Sequence, residues 1–341
     1  MRFQENVDLS KYSTMRLGGT GKYLTTVRDK HELAEAAMWA KAGKKKFIVI
    51  GGGSNIAWAD TGYGGLVIVN KIRGFEIKKE NNRQSYVTVG AGEDWDTVVS
   101  RTVDAGLHGI EALSLIPGTT GATPIQNVGA YGQEIAQTLV SIEAYDTVHD
   151  RFVVIDAEDC DFAYRHSRFK GKDKGRFAIV SLTFQLRRVN PRPPFYPALT
   201  TYLRDNKIHV ITPRVMRNAV IAIRQAKLPD PKKIANNGSY FANPIVPKSK
   251  AAALKQKYTL MPSWSADGGV KLSAAWLIDQ CGLKNFHDKK TGMSTWNEQP
   301  LVLVNEHAKK TVDLITFRNF IVAKVEEKFD VRLEPEPEIL P

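Results

Sequence analysis

The chain has 341 residues, with 48 Lys or Arg against 36 Asp or Glu, for a formal charge of +12. A 43% hydrophobic content supplies a real core and excludes wholesale disorder. No apolar run reaches the roughly 18–20 residues of a membrane span, and two cysteines, Cys160 and Cys281, are too few for a disulfide scaffold or a Cys-rich zinc site. The opening MRFQENVDLSKYS has no apolar signal region, so a cytoplasmic protein is expected. The lysine clusters (44–46, 78–79, 232–233, 309–310) are scattered and form no basic-aromatic stripe. Nucleic-acid binding is therefore not expected, and nothing implies an obligate protein partner.

The length predicts two or three domains, and the pattern along the chain is mixed α and β. A strand is predicted at 22–27, then a helix at 31–42 with Asp29 as its cap and Gly43 as its stop, then a strand at 47–50. A glycine turn follows at 51–55, then a loop at 58–65 and a short strand at 66–69. Next come a strand at 85–89 and a helix whose Trp95, Val98, Val99 and Val103 share one face, ended by Gly106. Strands are predicted at 140–146, 152–155 and 178–185. Five prolines between Pro191 and Pro213 mark residues 190–235 as an insertion or linker, with Thr212-Pro213 opening a helix inside it. A helix at 272–281, a strand at 301–304, a helix striped by Leu314, Phe317, Ile321 and Val325, and an extended acidic tail from 331 complete the chain.

Three glycine-rich stretches ask for a chemical reading. Gly18-Gly19-Thr20-Gly21-Lys22 has Tyr23 where a phosphate loop needs Ser or Thr, and a strand follows it. Gly51-Gly52-Gly53-Ser54-Asn55 follows a strand, but no helix succeeds it, so it is not a Rossmann fingerprint. Its exposed backbone N–H groups can still bind an anion. The stretch IPGTTGATPIQNVGAYGQE (116–134) offers more small residues, backbone donors and amides. Two such loops can hold one pyrophosphate from both sides. The histidines show no metal spacing, Cys160 and Cys281 read as buried small residues, and no metal is implied.

These stretches carry a resemblance. TMRLGG (14–19), VIGGGSN (49–55), the 116–134 stretch, YRHS (164–167), KLPDP (227–231), NNGSYFANP (236–244), KLSAAWLIDQCGLK (271–284) and LEPEPEIL (333–340) run in one order over nearly the whole chain. In this the sequence resembles the UDP-N-acetylenolpyruvoylglucosamine reductases, also called UDP-N-acetylmuramate dehydrogenases, which serve peptidoglycan synthesis. The resemblance implies an α+β chain: a vanillyl-alcohol-oxidase-like, two-part FAD-binding fold plus a smaller α+β substrate domain. Its parts would be 1–70, joined by the tail 329–341, then 71–227 with an insertion loop at about 190–212, then 228–328. The proline-bearing segment resembles the subclass with an extra tyrosine loop.

What the resemblance implies for chemistry is a two-electron reduction of an enolpyruvyl ether by NADPH through non-covalent FAD. Flavin N5 would pass hydride to the vinyl carbon, and a proton must then reach the neighbouring carbon. Ser239 would be the acid, with Arg165 and Glu336 stabilising the enol-like intermediate. The FAD would be held by Gly51, Gly52, Gly53, Ser54 and Asn55 and by Pro117, Gly118, Gly121, Ala122, Thr123, Gln126, Asn127, Gly129, Ala130 and Gly132. Lys227 would meet the substrate diphosphate, Asn243 the uridine diphosphate, and Lys271 and Gln299 would stand in the substrate shell. Of the tyrosines in the proline-bearing segment, Tyr196 and Tyr202, the second is favoured to cover the nucleotide. The alternative is another FAD-dependent oxidoreductase of the same fold. Partners are then the UDP-sugar and NADPH alone.

Overall fold

The structure, a computed structural model, describes residues 2–341. Its contacts divide the chain into two units. The first takes the chain up to Val7, Gly21–Gly52 and Gly64–Gln225; the second takes Asp8–Thr20, Gly53–Tyr63 and Ala226–Pro341.

In the first unit a four-stranded sheet runs in the order Gln4–Asp8, Thr20–Val27, Tyr63–Asn70, Phe47–Ile50, the last two parallel. The helix Lys30–Ala42 starts where Asp29 accepts the His31 and Glu32 N–H groups, and it ends at Gly43. Its Leu33, Ala36, Ala37 and Ala40 pack with Leu66, Ile68, Tyr145 and Val180. A five-stranded antiparallel sheet follows, in the order Arg151–Asp156, Leu139–Asp146, Phe177–Arg187, Gln84–Gly90, Phe75–Lys79. Helix Trp95–Asp104 lays Trp95, Val98, Val99 and Val103 on that sheet's core, the face its sequence spacing predicts.

In the second unit the strands Ala235–Ser239, Val302–Asn305, Met293–Thr295 and His287–Asp288 form one sheet. Helices Lys248–Lys257, Ala274–Gln280 and Thr311–Phe329 share its core, where Leu277, Leu303, Leu314, Phe317 and Ile321 meet. A three-stranded sheet of Ile245–Val246, Gly269–Leu272 and Ser263–Ala266 stands beside them. The tail strand Glu338–Leu340 pairs in parallel with Ile56–Trp58.

Four features depart from the sequence reading. Residues 58–65, read as loop, take in the end of strand Ile56–Trp58 and the start of strand Tyr63–Asn70. The proline-bearing segment is helical at Pro197–Asp205, where Leu199 and Leu203 pack with Met216 and Val220 of helix Pro213–Lys227. The helix expected from 272 begins only after Ser273, whose side chain caps it on the Trp276 N–H, and Leu272 belongs to a strand. Cys160 is buried as expected, but Cys281 is half-buried.

Candidate active site

Within the first unit the two glycine-rich loops meet. A Cβ on Gly51 would collide with Thr119 Oγ1, and one on Gly52 would stand 3.2 Å from the Gly118 Cα. Only glycine lets backbones approach this closely. The second loop is fixed from behind: the Trp95 N–H donates to the Gly118 carbonyl at 3.1 Å, Thr120 N–H to Glu93 O at 2.9 Å, and Gly121 N–H to Ala91 O at 2.8 Å. A Cβ on Gly121 would lie 2.6 Å from that of Ala91. Pro117 and Ala122 are exposed, Gln126 is half-buried, and buried Thr123 turns its hydroxyl back to Thr120 O at 2.8 Å.

Further along, buried Asn127 accepts the Ala136 N–H at 3.0 Å and donates to Ala163 O at 3.3 Å. Gly129 and Ala130 pair with Glu134 and Gln133 in a short hairpin. Tyr131 and Gly132 turn it, both left-handed with φ of 50° and 86°, as a two-residue hairpin turn requires. Arg165 hangs from this hairpin. Its Nη2 donates to the Gly129 carbonyl at 3.0 Å, and its own backbone is left-handed at φ 54°. For a non-glycine residue such a conformation is held only when the surroundings fix it.

An ion-pair network the sequence reading did not anticipate supports the second loop. Asp96 accepts the Leu115 N–H at 2.5 Å and receives Arg217 bidentately at 2.6 and 2.9 Å. Burial pushes the Asp96 carboxyl up, but hydrogen bonds from Arg217 and Leu115 outweigh it and hold it below its ordinary value. Arg224, two helical turns on, donates to Leu115 O at 3.3 Å, while its Nε is out of water with no partner among the described residues. Burial lowers its pKa. Tyr202 lies half-buried on helix Pro197–Asp205, not in a loop. Tyr196 packs edge-on against Tyr131 with ring centroids 5.6 Å apart.

The second unit brings Gly53, Ser54, Asn55, Ser239 and Glu336 into one neighbourhood. Left-handed Gly53, at φ 69°, accepts the Thr14 N–H at 3.0 Å. Asn237 is the hub. Its Nδ2 lies 3.0 Å from Thr14 Oγ1, 3.2 Å from Ser54 O and 3.2 Å from Ile56 O. Its buried Oδ1 has no partner among the described residues. Gly238, at φ 70°, then bends the strand so that exposed Ser239 pairs with Val302. The tail closes on this strand: Ala242 N–H donates to Glu334 O at 3.0 Å and Glu336 N–H to Tyr240 O at 2.8 Å. Asn55 ties both sides, donating from Nδ2 to Glu336 O at 3.2 Å and accepting the Glu338 N–H at 3.1 Å.

The remaining expected residues stand on other elements of the second unit. Asn243 accepts the Ala274 N–H at 2.9 Å and so caps the helix beginning there. Lys271 is two residues of ladder away, paired with Ile245 and Trp264. Gln299 accepts Val302 N–H at 2.9 Å on its carbonyl, and its side-chain Oε1 is a buried acceptor with no partner among the described residues. Lys227 is exposed at the end of helix Pro213–Lys227. A cavity of about 440 Å³ elsewhere in this unit, lined by Arg16, Lys233, Asn285, Trp296 and Asn305 among others, takes in none of these residues. Asn237 was legible as part of the NNGS motif, but its role needed the partners from residues 14, 54 and 56, which are remote in sequence.

Comparison with known proteins agrees with this layout. The family model "FAD binding domain" matches residues 22–148, and "UDP-N-acetylenolpyruvoylglucosamine reductase, C-terminal domain" matches residues 230–340. The chain is 40% identical to the UDP-N-acetylenolpyruvoylglucosamine reductase of Ralstonia nicotianae over 97% of both chains. It is 37% identical to that of Escherichia coli strain K12, over 97% of this chain and 95% of the relative. The crystal structure of UDP-N-acetylenolpyruvylglucosamine reductase from Thermus caldophilus shares the fold over the whole of both chains, with a TM-score of 0.70 at 23% identity. The chain belongs to the UDP-N-acetylenolpyruvoylglucosamine reductase family.

Proposed function

We propose that this chain reduces the enolpyruvyl ether of UDP-N-acetylglucosamine to the lactyl ether of UDP-N-acetylmuramate, a peptidoglycan precursor, with FAD bound and NADPH as donor. The first unit fits the FAD on its own geometry: two glycine runs approach until a Cβ at Gly51 would not fit, leaving backbone rather than side chains to face a diphosphate. Gly51, Gly52, Pro117, Gly118, Gly121, Ala122, Thr123, Gln126, Asn127, Gly129, Ala130 and Gly132 would line that site, with Gly53, Ser54 and Asn55 continuing the first loop. The chemistry supplied by bound FAD is hydride relay from NADPH, through N5, to the terminal vinyl carbon.

The protein's own residues orient, stabilise and protonate. Arg165 presents a permanent, planar charge to the substrate carboxylate, where negative charge grows as hydride arrives. Glu336 acts with Arg165 in stabilising the same enol-like intermediate. Ser239 delivers the proton to the carbon beside that carboxylate. A hydroxyl is a weak acid, and it serves here because the enolate is a strong base and the donor is already positioned. Lys227 neutralises the diphosphate, Asn243 meets the uridine diphosphate, and Lys271 and Gln299 stand in the substrate shell.

One observation carries this reading furthest. The tail is hydrogen-bonded just past the strand of Ser239, the Glu336 N–H donating to the Tyr240 carbonyl at 2.8 Å, which supports a shared role for the two residues. The same reading assigns the vanillyl-alcohol-oxidase-like FAD parts to 1–70 with the tail 329–341 and to 71–227, and the substrate domain to 228–328. It also puts the chain in the subclass with the extra tyrosine loop, Tyr202 covering the nucleotide from helix Pro197–Asp205. No described helix is long and apolar enough to cross a membrane, and the cytoplasm, where NADPH and UDP-sugars are found, is the compartment this chemistry needs.

The test is direct. The purified protein should be yellow, and NADPH should be consumed in step with the enolpyruvyl substrate to give a product heavier by two hydrogens. A colourless protein, or NADPH loss that depends on oxygen and not on the enolpyruvyl sugar, would reject the reading.

A further inference from the structure

Glu111 is buried at 1% exposure, yet its carboxylate is ionised and carries three hydrogen bonds. His108 Nδ1 lies 2.7 Å from Oε1, the Gly109 N–H donates to Oε2 at 2.7 Å, and Gln133 Nε2 donates to Oε1 at 2.9 Å. The other end of the Gln133 amide accepts the Ala112 N–H at 2.8 Å, so both ends of that amide are specified. His108 is itself fixed to the large sheet, exchanging backbone hydrogen bonds with Arg187 at 2.7 and 3.0 Å. Gln133 sits in the hairpin opposite Ala130, and Gly129, the next residue along, gives its carbonyl to Arg165 Nη2 at 3.0 Å. Hydrogen bonds and the backbone of the hairpin thus link the large sheet to the guanidinium.

An apolar group would fill this space at less desolvation cost than a carboxylate. What the carboxylate adds is direction: it accepts from Gln133 in one orientation only. We propose that Glu111 is a positioning residue, which through Gln133 sets the 129–134 hairpin and through the Gly129 carbonyl aims Arg165 at the substrate carboxylate. This rests on the role given to Arg165 above, and Glu111 itself lies outside the family motifs considered so far.

The experiment is a double-mutant cycle on the holoenzyme. Glu111→Gln and Gln133→Ala are each made with Arg165 intact and with Arg165→Ala. Flavin reduction by NADPH and flavin reoxidation by the enolpyruvyl substrate are followed separately by stopped flow, and FAD retention is read from flavin fluorescence after ultrafiltration. With Arg165 intact, reoxidation should fall roughly tenfold to a hundredfold, the cost of a small misplacement of a reacting group. Reduction by NADPH should not change, and FAD retention, which Gly129, Ala130 and Gly132 of the same hairpin share with the other loop, should fall less than reoxidation does. In the Arg165→Ala background the second substitution should add nothing, because the residue it aims is gone.

Losses that multiply in the double variant, or equal loss in both half-reactions, would each overturn the proposal and leave Glu111 a folding residue. Should Glu111→Gln fail to fold, half-exposed Gln133→Ala decides by the same criteria. Normal reoxidation by the single Arg165→Ala variant would instead reject the assignment of Arg165 itself, and is told apart by that one measurement.

Discussion

The Glu336 N–H donates to the Tyr240 carbonyl at 2.8 Å, which hangs the C-terminal tail on the residue after Ser239. The tail continues as Glu338–Leu340 along Ile56–Trp58, and the Ala59 N–H closes it on Leu340 O at 2.7 Å. The fold and the proposed acid pair therefore share the same few hydrogen bonds. Deleting residues 338–341 should lower unfolding stability by about 2–4 kcal/mol, at roughly 1 kcal/mol net for each lost hydrogen bond. It should also slow flavin reoxidation. Glu336→Ala, which keeps the backbone bond, should slow reoxidation without the stability loss. Urea unfolding beside stopped-flow kinetics separates the two.

Asn237 should behave as a structural keystone. Its amide serves Thr14, Ser54 and Ile56 at once from a buried position. Asn237→Ala removes this shared donor, with Ile56 O keeping the Ser13 hydroxyl at 2.6 Å, and should cost about 1–3 kcal/mol, read as a lower urea midpoint at unchanged slope.

Much of the first unit was legible locally. Asp29, the alanine-rich face and Gly43 specify the helix Lys30–Ala42 without help from elsewhere, and the structure places the cap as that pattern requires. The strand Ile56–Trp58 was not legible, because its partner lies some 280 residues away and three residues carry no readable period. Helix Pro197–Asp205 was hidden by the prolines around it, although Pro197 itself is a favoured first helical residue. Helix Lys248–Lys257 buries only Ala251 and Leu254, too little for an apolar stripe to show.

The candidate site divides the same way. Ser239, Arg165 and Glu336 were found through motif resemblance; Asp96, Arg217 and Asn237 act through partners distant in sequence, and Glu111, bonded locally to His108 and Gly109, owes its proposed role to Gln133 in a separate hairpin.

The loop contact makes a rescue prediction. Gly51→Ala should weaken FAD binding, because its Cβ would collide with Thr119 Oγ1. Removing the obstacle in Gly51→Ala/Thr119→Ala should restore part of the affinity, measured by flavin titration of the apoprotein. No recovery would mean that backbone conformation, not space, requires glycine there.

Asp96 predicts a pH dependence. Its carboxyl is held below the ordinary value of 3.8, burial opposing and Arg217 and Leu115 prevailing. A carboxyl depressed on folding adds stability that is complete above its unfolded pKa and is lost as pH falls through the folded one. Asp96→Asn should therefore cost about 2–3 kcal/mol near pH 7, a partly exposed version of breaking a buried ion pair. The difference from the parent should hold down to about pH 5 and shrink below about pH 4. A difference that stays constant to about pH 3 would refute the ionised pair.

The central claim is that Ser239 supplies the proton that completes the reduction, and the Ser239→Ala holoenzyme tests it most directly. Mixed anaerobically with NADPH, it should bleach at the parent's rate. Mixed next with the enolpyruvyl sugar, its flavin colour should return about 10²–10⁴-fold more slowly, the usual share of a positioned acid. Return at the parent's rate would show that the proton comes from somewhere else.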